Sequence, residues 1–357
     1  MRNFSITLAY LLLNIFALTS SKEFTVNPNG AISSEEPDFF LATTWAPLNG
    51  VGRAELYLAA VGAGKLGEDS YPLIPVAQLI KTGEFQYGKI LVRGAEATAD
   101  IPPSDICTIG ENALISLSSI VRKLSRKYTK DITVSAEINS IQDLVRTPAD
   151  ERALLTLLIL REGTRTSSPL IPYIMTFLLS AHEHIPSAWD HTSADGAARR
   201  AGLVNVDGGA ALIMAADALR KAIAKDYNEL APRAIEKLPR LLGLTGPDIV
   251  DVTKLYTFQN FAEIWLAIRS RSIENNGYGA LVPILCLMNH PGEGEVSNVN
   301  IGINSNGNMV LKAKRYIKRG EQLTLSYGDL SAERALLVYG FPMSVWSKLP
   351  SLKGFES

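Results

Sequence analysis

The stretch from Gly277 to Phe341 constrains this chain more than any other, because several structural signals follow one another there in a fixed order. An apolar run, ALVPILCLM, ends in Asn289-His290. Next, Val299, Ile301 and Ile303 alternate with polar neighbours, Ser305-Asn306-Gly307-Asn308 supplies turn residues, and Met309, Leu311 and Ala313 alternate back, which predicts a β-hairpin. Lys318-Arg319-Gly320-Glu321 makes a second turn, after which Leu323 and Leu325 point inward on a strand leading to Tyr327-Gly328. Polar groups at the ends of apolar segments stand where buried structure meets a cleft, and sites are built there. Each piece also has a plainer reading. Asn289-His290-Pro291-Gly292 is an ordinary turn sequence, and Tyr327 suits a core position with its hydroxyl satisfied.

A length of 357 residues, 46% hydrophobic and 20% charged, allows one large core or two modest ones. Thirty-five basic residues against 36 acidic ones give a net charge of -1, which provides no global field for nucleic acid or an anionic membrane. The one dense basic run, Arg122-Lys123-Leu124-Ser125-Arg126-Lys127, suits the solvated face of a helix. Cys107 and Cys286 lack the paired spacing of a zinc site or a disulfide scaffold and read as buried thiols. His182, His184 and His191 invite a metal-hydrolase reading. A spacing of two, however, sends His182 and His184 to different helix faces, so no metal site is expected.

Residues 1–21 carry Arg2, an apolar run from Ile6 to Leu18 and then small residues, the pattern of a secretory signal peptide. The alternative is a frayed apolar N-terminus. With the signal, the protein enters the secretory pathway, with a plastid as one onward destination; without it, the cytoplasm or nucleus is expected. No membrane span is expected after signal removal. Residues 22–85 read as an N-terminal extension. Gly62, Gly64 and Gly67 within it match a dinucleotide fingerprint, but Pro72 and Pro75 cut off the helix that fingerprint needs. Residues 86–118 read as short strands, Ser119 to Tyr128 as a helix, and the segment closed by Leu144 to Arg146 as a polar link. Asp150 is expected to cap a helix, ERALLTLLILREG, that is apolar nearly all round and hence buried. Pro172 to His184, Gly209 to Asp226, Arg233 to Leu242 and Pro247 to Leu255 carry helical spacing, a helical insertion at about 167–257. Thr257 is predicted to cap a helix bearing Phe258, Phe261, Ile264, Trp265 and Ile268 on one face, and Ser331 a short last helix.

These pieces together resemble the SET-domain protein methyltransferases, and among them the branch of Rubisco large-subunit lysine methyltransferase. VRGAEATADIPPSDICTI is similar to the family's opening glycine segment and IWLAIRSRSI to its Ser-Arg helix. ALVPILCLMNH resembles its Pro-x-x-Asp-Met-x-Asn-His segment, and RGEQLTLSYGDLSAERALLVYGF its final strand, tyrosine and Tyr-Gly-Phe. The resemblance implies an α+β fold of small twisted sheets with a long helical insertion and a C-terminal pseudoknot, occupying residues 86–345. It implies S-adenosylmethionine as cofactor and a protein substrate presenting a lysine, with no metal. Asn289, His290, Arg271, Arg93 and Gly94 would bind the cofactor, Tyr327 would be the catalytic tyrosine, and Tyr339 and Phe341 would line the substrate channel. Three positions depart from the pattern: Val92 replaces the first glycine, Cys286 the aspartate, and Ile273 the residue after Ser-Arg-x. Residues 346–357 leave only a short tail where this branch has a C-terminal substrate-binding domain. An alternative expectation is therefore a SET-fold protein that binds a partner without turnover.

Overall fold

The computed structural model describes residues 51–52, 80–87, 90–109, 113–165, 168, 170, 173–174, 178, 184–189, 192–205, 208–246, 249–275, 278–292, 294–304 and 308–341. The expected signal peptide, the glycine fingerprint, the tail after residue 345, and His182 and His191 lie outside these residues. Among the described residues the strands are β1 (Val51–Gly52), β2 (Ile80–Tyr87), β3 (Ile90–Ala97), β4 (Asp105–Ile109), β5 (Ser272–Asn275), β6 (Tyr278–Leu281), β7 (Val299–Ile303), β8 (Met309–Ala313) and β9 (Gln322–Leu323). The longer helices are α1 (Leu117–Lys127), α2 (Ile132–Leu144), α3 (Pro148–Gly163), α4 (Ala194–Val204), α5 (Gly209–Lys237), α6 (Val252–Leu255) and α7 (Phe258–Arg271). Helices and small antiparallel sheets make the α+β class expected. The described residues divide into two compact units, one of residues 116–279 and 330–341, the other of residues 51–115 and 280–329.

The helical unit is organised on α3, against which both α5 and α7 pack. Helix α3 is buried almost throughout, from Ala153 to Leu160, as its all-round apolar sequence requires. Its N-cap is Thr147 rather than Asp150. Asp150 sits at the third helical position, where its carboxylate accepts from the Thr147 amide at 2.9 Å while its own amide donates to Thr147 Oγ1 at 3.1 Å. The segment read as a polar link is helix α2. Glu137 on it is buried, and its carboxylate accepts from the amides of Arg240 and Leu241 at 2.9 and 2.8 Å, so a residue that looks solvent-facing in sequence holds the chain after α5. Helix α5 runs unbroken through Pro232, joining the two segments read as separate helices. Thr257 caps α7 through the Asn260 amide, and Ser331 caps the helical turn at Ala332–Arg334, both as expected.

The β unit contains a four-stranded sheet, β1-β4-β8-β7, and a three-stranded sheet, β2-β3-β9. The predicted hairpin is present, with Val299 opposite Ala313 and Ile303 opposite Met309. In the second sheet β2 and β3 form a regular hairpin with Gly83 opposite Gly94, and Ala95 pairs with Leu323 of β9. Buried Ile80, Ala95, Ile101, Ile106, Ile109, Leu311 and Leu323 form the interior of this unit. The segment after β9 is threaded: the Leu325 amide donates to the Asn289 carbonyl at 2.9 Å, and on the other side the Val299 amide donates to the Thr324 carbonyl at 3.2 Å. Residues 324–325 therefore pass between the two ends of the 289–299 loop. This crossing corresponds to the pseudoknot that the resemblance implied.

Candidate active site

Threading delivers Tyr327 to the apolar run that precedes Asn289. The Tyr327 hydroxyl donates to the main-chain carbonyl of Met288 at 2.6 Å. At the other end of the residue, the Tyr327 amide donates to Nδ1 of His290 at 3.1 Å, and the two rings lie 5.6 Å apart, tilted by 50°. Because Nδ1 accepts, the imidazole carries its proton on Nε2. Burial pushes the His290 pKa below its ordinary value, which favours the same neutral form. Since the phenolic hydrogen is committed to Met288, the oxygen lone pairs are what Tyr327 has to offer another donor.

Asn289 faces the second sheet. A Cβ added at Gly94 would meet Asn289 Nδ2 at 2.7 Å, Gln322 Nε2 at 2.6 Å and the Phe85 ring at 3.1 Å, so only a glycine lets two carboxamides lie against β3. Tyr327, His290, Asn289 and Gly94 are thus brought into one region of the β unit. Arg93 precedes Gly94 on β3, opposite Glu84. Val92 occupies a regular strand position opposite Phe85. Arg271, Tyr339 and Phe341 belong to the helical unit. Arg271 is the last residue of α7 and is half-buried. Tyr339 ends a π-helical turn, Ala335–Tyr339, that packs on α7, and its ring lies 6.1 Å from that of Phe341. Gly340 between them has φ of 76°, and a Cβ there would meet the Cβ of His184 at 3.0 Å.

The run before Asn289 is strained. Ile284 is fully buried with φ of 72° and ψ of -45°, the one non-glycine residue at positive φ among those described. The short helical turn after it, Leu285–Leu287, contains Cys286, whose thiol donates to the Val282 carbonyl at 3.2 Å. Cys107 is buried as expected, whereas Cys286 is half-buried, and neither forms a disulfide. No group of three or more His, Cys, Asp or Glu able to hold a metal occurs among the described residues, and none of their helices is long and apolar enough to cross a membrane.

Sequence reasoning missed Asn298. It is buried, and its carboxamide bonds the threaded segment on both sides of Leu323: Nδ2 donates to the Gln322 carbonyl at 2.7 Å, and Oδ1 accepts from the Thr324 amide at 2.8 Å. A single asparagine before a strand looks like turn punctuation, so the sequence carries no local signal for this role. Gln322 was missed for a similar reason, being one polar residue in an alternating strand.

A family model described as SET domain matches residues 92–328. No curated protein matches the chain by sequence. Among solved structures, the SET domain of LSMT bound to lysine and AdoHcy is similar at 18% identity and a TM-score of 0.53, covering 81% of this chain. The structure of Rubisco LSMT bound to AdoMet is similar at 18% identity and a TM-score of 0.50, again over 81% of this chain. This chain spans 56% and 55% of the lengths of those two chains.

Proposed function

The chain belongs to the SET-domain family, and from that premise we propose that it transfers a methyl group from S-adenosylmethionine to the lysine side chain of a protein substrate. The observation that carries this reading is the double anchoring of Tyr327, whose hydroxyl is fixed on Met288 and whose amide is fixed on His290. It is supported by relatives of the same fold solved with AdoHcy and lysine, or with AdoMet.

The residues present suit that cofactor. Gly94 lets the Asn289 and Gln322 carboxamides, with their donors and acceptors, lie against β3. Arg271 offers a guanidinium for a carboxylate. When bound, the cofactor supplies a methyl group already activated on a sulfonium, so the protein has mainly to align and to exclude water. The Tyr327 oxygen accepts an N–H of the incoming amine and fixes its direction. By the resemblance, Tyr339 and Phe341 would line the lysine channel, and an apolar lining disfavours the ammonium form and so helps the lysine lose its proton.

Titration calorimetry with S-adenosylmethionine tests the binding half, and transfer of labelled methyl to a protein extract by wild type and Tyr327→Phe tests the chemistry. Well-folded protein that binds no cofactor would end this reading. Cofactor binding with no turnover, unchanged in Tyr327→Phe, would favour the alternative of a partner-binding SET fold, for which the thiol of Cys286 in place of a carboxylate is the motivation. Entry into the secretory pathway rests on residues 1–21; a fluorescent fusion lacking them that keeps the same location would reject it.

A further inference from the structure

We propose that Asn298 is the positioning residue for Tyr327, acting through the threaded segment and so deepening the methyl-transfer reading on which it rests. Its carboxamide does what an opposing strand would do. It accepts from the Thr324 amide at 2.8 Å and donates to the Gln322 carbonyl at 2.7 Å, thereby satisfying the two polar main-chain groups that flank Leu323 on that side. The Asn298 amide also donates to Thr324 Oγ1 at 3.3 Å, and the next residue, Val299, donates to the Thr324 carbonyl. Asn298 and Thr324 are both buried, so water cannot replace these bonds without cost.

From Thr324 only two residues separate the clamp from Tyr327. In that interval Leu325 is bonded to Asn289, and Tyr327 itself is bonded to His290 and Met288. On the side of β7, the clamp and the bridge between Val299 and Leu325 are the fixed points upstream of the tyrosine. Releasing the carboxamide leaves the segment held on that side only by the main-chain amides of Asn298 and Val299, and so loosens the position of the phenol.

The arrangement requires one donor and one acceptor on the same side chain, and this gives a signature that loss of packing would not give. Asn298→Asp keeps the shape. When ionised, it turns an acceptor toward the Gln322 carbonyl and toward Glu321 Oε1, which lies 3.3 Å from Nδ2 in the wild type. The charged groups around the site are Glu321, its ion-pair partner Arg315, and Lys314, whose Nζ donates to Ser297 Oγ. Burial beside Glu321 raises the new carboxyl's pKa, and the protonated acid restores the donor.

The experiment compares wild type, Asn298→Asp and Asn298→Ala between about pH 9 and pH 6, normalising each to wild type at the same pH because His290 titrates in all three. Methyl transfer and the hydrogen exchange of the Thr324 and Tyr327 amides are both measured. For Asn298→Asp, kcat should fall about tenfold or more at the alkaline end and recover to within about threefold of wild type at the acid end, with cofactor affinity changed less than about threefold. Tyr327 exchange protection should be lost and regained in parallel, and Asn298→Ala should show no recovery. An Asn298→Asp protein that matches wild type at every pH overturns the proposal. So does one whose activity falls while Tyr327 stays fully protected. If wild type shows no turnover, the methyl-transfer reading fails, and the exchange data still decide the clamp.

Discussion

The main-chain amide of Tyr327 donates to Nδ1 of His290 across 37 residues of sequence, at 3.1 Å. The proton state of one side chain therefore sets whether the backbone of the other is held.

Lowering the pH should test that coupling. Burial depresses the His290 pKa in the folded protein, so as pH falls the unfolded chain takes up the proton first, from about pH 6.5 downward. The stabilising contribution is present above that value and is lost as pH falls toward the depressed folded value. Thermal melts from about pH 8 to pH 5 should show a steeper loss for wild type than for His290→Asn, whose side chain does not titrate. Equal slopes would refute the coupling.

Removing the Tyr327 hydroxyl separates chemistry from stability. Tyr327→Phe loses one hydrogen bond, to Met288, and should cost about 1 kcal/mol of folding free energy. Methyl transfer should fall by about a hundredfold or more, while cofactor affinity measured by calorimetry stays close to wild type.

Gly94→Ala places a methyl where two carboxamides lie, at 2.7 Å from Asn289 and 2.6 Å from Gln322. Both obstructing atoms end flexible side chains, so the fold should survive at a cost of about 1–2 kcal/mol in urea denaturation. Displacing the Asn289 carboxamide should weaken cofactor binding by about tenfold. Unaltered affinity with normal stability would show that the seating of the two carboxamides against Gly94 does not matter to the cofactor.

At Ile284 the usual order of substitutions should reverse. Both Ala and Gly remove the same buried side chain and should destabilise strongly, but only Ala retains a Cβ at φ of 72°. Ile284→Gly should therefore be the more stable of the two by about 1 kcal/mol, as read from chemical denaturation, the opposite of their ranking at an ordinary helix or strand position.

Glu137→Ala would leave the amides of Arg240 and Leu241 buried without an acceptor, at a cost of about 2–4 kcal/mol. Glu137→Gln keeps one acceptor oxygen and should recover about half of that loss in the same denaturation assay.

Periodicity made part of this molecule readable. The Val299–Ala313 hairpin announces itself by alternation around a turn, and α7 by the Thr257 cap and one apolar face. Helix α2 escaped notice because Glu137 counts as polar in any pattern, although the fold buries it on main-chain amides. Pro232 lies between two segments read as separate helices, yet Leu230, Ala231 and Ala234 are buried around it and packing carries α5 through. At the site, Tyr327, Asn289 and His290 stood out because each ends an apolar segment. Asn298 did not, because its role depends on which strand lies opposite, and strand partners distant in sequence leave no local trace.

The threaded segment also has a consequence for when this region can form. Asp100 accepts from the amide of Arg319, a separation of 219 residues, and β3, paired with β2 on one edge, finds its partner on the other edge in Gln322–Leu323. During synthesis the strand bearing Gly94 emerges early and waits, unpaired on that edge, until Gln322–Leu323 has left the ribosome. Only then can residues 324–325 settle between Asn289 and Val299. A nascent chain arrested before Gln322 thus exposes β3 as an open edge.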